Sequence, residues 1–189
     1  MVWMNQVNYL YFKMNDLNKF YYDILNIRKP SVNYNLIKEI VNKKTNELLK
    51  RTNDISGLCK VIALFVLEEL NKLNIRTLEF NIKDLCELNY EHVFLISYYK
   101  ENDEIKYVLI DPTYTQFVKT KGLLNPKFNA WPSEILSKTE KGTKILESLV
   151  GNGCSLVENE DVNLYLNSFG SVVEEFNLEK SFITHSKKY

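Results

Sequence analysis

The chain has little of what would place it in several large classes of protein. It has no excess of charge: 24 Lys+Arg stand against 24 Asp+Glu, so no global field draws it to nucleic acid or to an anionic membrane. Cysteine is scarce and odd in number, three in all. With no Cys-x-x-Cys pair, that argues against a disulfide framework and fits a reducing, cytoplasmic compartment. Long apolar runs are missing too. The longest, Val61 to Leu67, is far too short to span a bilayer. The first six residues carry no basic segment and no small-residue cleavage site, so a cleaved export signal is not expected; secretion without a signal stays open. Only two histidines are present, His92 and His185.

What is present suits a folded domain. Of 189 residues, 45% are hydrophobic and 13% aromatic, enough for a genuine core. No repeat or long linker divides the chain, so one domain is expected over 1–189. Residues 1–30 would form an aromatic-rich helix or strap, 31–120 the core carrying the site, and 121–189 a mostly helical part.

Leu36, Ile37, Ile40, Val41, Leu48 and Leu49 recur at helical spacing and predict a surface helix. A turn at Thr52-Asn53-Asp54 leads to a second helix from Leu58 to Leu73, with Asp54 or Ser56 able to cap it. That helix is apolar on most sides, which predicts a place in the middle of the domain. Leu78, Phe80 and Ile82 alternate as a strand would. Two further strands, His92–Tyr99 and Ile105–Asp111, are apolar on both faces and imply covering layers on each side. A helical stretch is expected from Ser133 to Leu149, a stop at Gly151-Asn152-Gly153, a last short helix or strand over Val162–Phe169, and a frayed tail at Ser186–Lys188.

Three residues on these elements carry the chemistry. Cys59 falls in the first turn of the apolar helix, where unpaired backbone N–H groups and the positive end of the helix dipole favour thiolate. The same N–H groups can hold an oxyanion. Gly57, two residues earlier, leaves room for a substrate backbone, and Leu58 adjoins it. His92 opens one strand and Asp111 closes the next. A tight turn at Glu101-Asn102 would set these two directly opposite, with Cβ atoms about 4.5–5.5 Å apart, so that the carboxylate could orient the imidazole. Taken singly, each has a plainer reading: a small buried hydrophobe, a satisfied structural histidine, an Asp-Pro-Thr turn. It is the conjunction that points to catalysis.

Other sites fit less well. Cys59, Cys86, His92 and Cys154 lack the close ligand pair of a zinc site. No Gly-Lys-Ser/Thr follows Gly151-Asn152-Gly153, so it is not a phosphate loop. The twelve tyrosines follow core spacing without a basic groove for single-stranded nucleic acid.

Gly57-Leu58-Cys59 at a helix start, His92-Val93-Phe94 at a strand start and Asp111-Pro112-Thr113 at a strand end resemble the transglutaminase-like and papain-like superfamily of Cys-His-Asp thiol enzymes. The stretch Asp111–Phe117 is similar to the extended aspartate motif of bacterial papain-fold proteins, including toxin and effector domains. The resemblance covers Asp54 to Phe117, about a third of the chain. It implies an α+β fold in which a central helix carrying the cysteine packs on an antiparallel sheet carrying His and Asp. It also implies Cys59 as nucleophile, His92 as general base and acid, and Asp111 as orienter.

The chain departs from the family in two ways. No glutamine precedes the cysteine to complete an oxyanion hole, for which Asn53 or Gln6 are the alternatives. Leu58 and Val93 stand where many transglutaminase-like enzymes carry tryptophan. Gln116 and Tyr114 are expected to brace the aspartate loop. The expected function is acyl transfer from an amide through a thioester, as peptidase, deamidase or transamidase, on a protein or peptide substrate and without a cofactor. A catalytically inactive binding or scaffold module of the same fold is the alternative. An acyltransferase using a thioester donor is a third reading, with no donor motif to support it.

Overall fold

The computed structural model describes residues 31–50, 57–86, 91–119, 130–170 and 176–186. The architecture is α+β: a four-stranded antiparallel sheet in the order β1-β2-β3-β4, with helices on both faces. The strands are β1 (Thr77–Asn81), β2 (Val93–Glu101), β3 (Glu104–Ile110) and β4 (Cys154–Val157). Apolar side chains project from both faces of β2 and β3, and each face builds its own core. Val93, Leu95, Val108 and Ile110 meet the helices α1 (Tyr34–Leu49) and α2 (Cys59–Lys72). Phe94, Ile96 and Leu109 meet a second cluster of later elements.

Those later elements are α3 (Ile82–Cys86), a 3-10 turn (Tyr114–Phe117), α4 (Pro132–Leu136), α5 (Glu140–Asn152), α6 (Asn159–Asn167) and α7 (Leu178–Ser186). The expected layers on both sides of the sheet are therefore present.

Helix α1 starts because the Asn33 side chain accepts from the Leu36 N–H at 3.0 Å, closing one of the donors a helix start leaves open. Its inner face, Ile37, Ile40 and Val41, is buried. Helix α2 starts differently. Asp54 and Ser56 lie outside the described residues, and the N-cap position is taken by Leu58, whose side chain makes no capping bond. One N–H of this first turn, that of Lys60, acts on the Cys59 thiol.

The expectation that α2 is enclosed on all sides is corrected. Ile62, Ala63, Val66 and Leu70 are buried, but Val61, Leu64 and Phe65 are each more than 40% exposed. The helix covers the sheet with one face and shows an apolar stripe on the other.

The hairpin register also differs from expectation. Asn102 and Asp103 adopt φ of 50° and 65°, the pair of left-handed conformations that a two-residue turn requires and that Asn and Asp tolerate. The turn is therefore Asn102-Asp103, with Glu101 paired to Glu104 and Leu95 to Ile110. Continued by one residue, this register sets Asp111 level with Phe94, so His92 reaches it on the diagonal. The slip is two residues, and an even slip keeps both side chains on the same face.

Five further expectations are refined. Strand β2 begins at Val93, one residue after His92, and β1 ends at Asn81, with Ile82 opening α3. The helical stretch from Ser133 is two helices, because Thr139 caps a new one by accepting from the Gly142 N–H at 3.0 Å. The segment from Val162 belongs to α6, started by a capping box between Glu158 and Asp161. Ser186, assigned to a frayed tail, ends α7.

Strand β4 has no counterpart in the sequence reading. It follows the stop at Gly153, which takes φ 67° at the end of α5, the left-handed cap that glycine favours. A Cβ there would lie 3.0 Å from the Pro112 Cα and 3.1 Å from the Val41 Cγ1. Gly153→Ala is expected to cost roughly 1–2 kcal/mol from the positive φ alone, with more from these contacts. Urea denaturation of the variant beside wild type measures it.

Candidate functional site

The strand ends opposite the hairpin turn carry the site. Asp111 sits one residue past β3, where its N–H donates to the Gly153 carbonyl at 2.9 Å and so extends the β3–β4 ladder. His92 sits one residue before β2, with its own carbonyl accepting from the Ile82 N–H at 2.8 Å. Both backbones are therefore fixed by the sheet, and both side chains are fully buried.

The Asp111 carboxylate accepts four hydrogen bonds. Oδ2 takes His92 Nε2 at 2.7 Å and the Tyr165 hydroxyl at 2.8 Å. Oδ1 takes the Thr113 N–H at 3.2 Å and the Thr113 hydroxyl at 3.0 Å. The Asp-Pro-Thr sequence thus serves two ends. It turns the chain after β3, and its threonine satisfies the carboxylate oxygen that does not face His92. A buried carboxylate needs such donors, because desolvation otherwise disfavours its charge.

An ionised carboxylate only accepts, so Nε2 of His92 carries the hydrogen of that bond. Nδ1 is then the nitrogen free to exchange a proton. It is buried and makes no regular hydrogen bond, yet the Cys59 thiol is near enough that the two groups shift each other's pKa. They are electrostatically linked neighbours rather than a closed hydrogen bond, a looseness common in sites without substrate. Two rings fix the imidazole plane: Phe117 edge-on at 4.6 Å between centroids, and Phe169 stacked at 5.8 Å.

The titrations follow from these contacts. Burial pushes His92 toward its neutral form, but the Asp111 charge and hydrogen bond, helped by Cys59, raise its pKa to about 9. Burial likewise raises the Cys59 thiol. The His92 side chain and the Val93 N–H, then the His92 charge and the Lys60 N–H, outweigh it, leaving the thiol below its ordinary value. Cys154 behaves oppositely: burial carries it up to about 11, with the Tyr34 hydroxyl only partly compensating. Cys59 is half-buried, whereas Cys154 is fully buried.

The structure brings Cys59, His92 and Asp111 to one place. Leu58 flanks them as the N-cap residue, and its carbonyl accepts from the Ile62 N–H at 2.9 Å. Gly57 is exposed and takes φ 77°, with nothing within 4 Å of a Cβ position. A positive φ, rather than a tight approach, is what asks for glycine there. Asn53 and Gln6 lie outside the described residues. Tyr114 is fully buried, and its N–H donates to the Asp111 carbonyl at 3.2 Å. Gln116 donates its N–H to the Thr113 carbonyl at 3.1 Å, so both residues help shape the aspartate loop.

Sequence reasoning missed two parts of the site. One is Tyr165, on α6. The other is the Val93 N–H, which complements the helix N-terminus at the sulfur. Among the described residues, no three metal-ligating side chains cluster, and no helix is long and apolar enough to cross a membrane. A groove of about 690 Å³ opens at the hairpin end of the sheet, between Tyr99, Lys106 and Leu178, and includes no member of this cluster. Comparison with known proteins gives no relative: no family model, curated protein or solved structure matches the chain.

Proposed function

We propose that this chain is a thiol enzyme that transfers an acyl group from an amide bond through a thioester on Cys59, with a core of the papain-like and transglutaminase-like kind. The observation that carries this reading is the buried His92. One of its nitrogens is held by Asp111, the other has no hydrogen-bond partner, and the imidazole is electrostatically linked to a half-exposed thiol whose pKa is lowered. A structural histidine needs a partner at one nitrogen, but not a reactive thiol near the other.

In this mechanism the Cys59 thiolate attacks the amide carbonyl carbon, and the carbonyl electron pair moves onto oxygen. The N–H groups of Lys60 and Val93, which already favour negative charge at the sulfur, would hold the oxyanion in the part that a glutamine side chain plays in many papain-like enzymes. The tetrahedral intermediate collapses as the C–N bond breaks, and His92 gives its proton to the leaving amine. Water or an amine then attacks the thioester while His92 takes a proton from it, and the C–S bond breaks to release the Cys59 thiolate beside the protonated imidazole. Water gives hydrolysis or deamidation; an amine gives transamidation. Substrate reaches the sulfur first, because Cys59 is the member of the three with solvent exposure.

The test is iodoacetamide alkylation of each cysteine as a function of pH, read by mass spectrometry. Alkylation follows the thiolate. Cys59 should therefore label well below pH 8, and Cys154 should stay largely unlabelled until far higher pH. Labelling of Cys59 no faster than that of a simple thiol peptide would favour the scaffold reading instead.

A further inference from the structure

The Asp111 oxygen that holds His92 is shared. Tyr165 Oη donates to the same Oδ2, at 2.8 Å against 2.7 Å for His92 Nε2. Tyr165 is fully buried and comes from α6, 54 residues further along the chain. It stands among residues that face the sheet, Val162, Tyr165, Leu166 and Phe169. Its ring meets Phe94 at 5.1 Å and Phe169 at 5.3 Å, the latter also stacked on the imidazole. The phenol is thus wedged by apolar rings and has its hydroxyl aimed at the carboxylate.

Two donors on one oxygen compete for its electron density. Each stabilises the carboxylate and so weakens the pull it exerts on the other donor. The Thr113 bonds act on the opposite oxygen.

We propose that Tyr165 is a positioning residue of this site, whose hydroxyl orients Asp111 and moderates how tightly His92 holds its proton. This rests on the thiol-enzyme reading only for its consequence, namely that a histidine acting as both base and acid must be able to release the proton it takes. The arrangement itself is independent of that reading. A phenylalanine at 165 would fill the same space and pack the same rings. Oδ2 would then be left to His92 alone.

The test is an NMR titration with ¹⁵N-labelled histidine in wild type, Tyr165→Phe, Tyr114→Phe and Cys59→Ala. With two histidines in the chain, His185→Gln assigns the signals. Tyr165→Phe should raise the His92 pKa by about half a unit or more, as expected when a carboxylate loses one donor and becomes more basic. It should also move the Nε2–H resonance to lower field. Tyr114→Phe removes another buried hydroxyl that senses the Asp111 charge without a hydrogen bond to it, and should move His92 clearly less than Tyr165→Phe does. An unchanged or lowered His92 pKa in Tyr165→Phe would overturn the proposal. Cys59→Ala reports separately on the thiol-enzyme reading: loss of the thiolate should lower the His92 pKa, and no change there would sink that reading while leaving the Tyr165 result intact.

Discussion

Replacing His92 by alanine is expected to silence Cys59. In the wild-type site burial opposes the thiolate, and the imidazolium is first among the groups that outweigh it. Without His92 the desolvation remains, and only the Val93 and Lys60 N–H groups oppose it. The thiolate fraction at neutral pH falls tenfold for each unit the thiol rises, so alkylation of Cys59 at pH 6 to 7 should slow by about tenfold or more. Turnover of any acyl substrate should fall further, by roughly 10²–10⁴, because His92 also moves the protons of the reaction. Cys59→Ala should remove turnover altogether. Cys154 provides the internal control, since its raised pKa has no contribution from His92 and its low reactivity should not change. Equal Cys59 labelling rates in wild type and His92→Ala would show that no thiolate–imidazolium pair forms.

The second large effect is on stability. Asp111→Ala removes the carboxylate that accepts from four buried donors: His92 Nε2, the Tyr165 hydroxyl, and the Thr113 N–H and hydroxyl. Removing one partner of a buried ion pair costs roughly 3–5 kcal/mol, a large part of the total for a domain of this size. Asp111→Asn keeps the shape but turns an NH₂ donor toward donors on one side or the other, so it should be only partly milder. The loss should depend on pH with a definite sign. His92 has a folded pKa of about 9 against about 6.5 unfolded. The stability of its charged form is therefore complete below about pH 6.5 and is lost as pH rises through about 9. Urea midpoints of wild type and Asp111→Asn should accordingly lie far apart at pH 6 and converge toward pH 9.5. In the variant the His92 pKa should drop, because only Cys59 is then left to oppose burial. A gap that stays constant across this range would mean that the pair is not charged.

Some of this was open to reading in the chain because it is carried by local pattern. The apolar run after Gly57 could only be a helix, and its start put Cys59 among open N–H groups. The strand pattern of Val93–Tyr99 and Tyr107–Ile110 put His92 and Asp111 at adjoining strand ends. Their shared face survived an error in the hairpin register, since moving the turn from Glu101-Asn102 to Asn102-Asp103 shifts the pairing by two residues and parity is what fixes a face. Strand β4 escaped because four residues after a helix stop carry almost no periodic signal. The enclosure of α2 was overestimated for a related reason. Composition around a helix tells how apolar it is, but not which neighbours arrive to cover Val61, Leu64 and Phe65.

The sequence by itself determined the kinds of element, the chemistry at their ends and the face on which each side chain emerges, because the helical and strand periods are properties of the backbone. Only the tertiary structure decided what the buried charges touch. That Tyr165 rather than a phenylalanine lies in the stripe of Val162, Leu166 and Phe169 was a visible hint, since a buried hydroxyl needs a partner. The partner itself, Asp111 Oδ2, is set by how α6 packs on the sheet. In the same way the Val93 N–H meets the Cys59 sulfur only because α2 docks across the end of β2. Those contacts join residues far apart in the chain, and no local pattern encodes a distance that packing alone fixes.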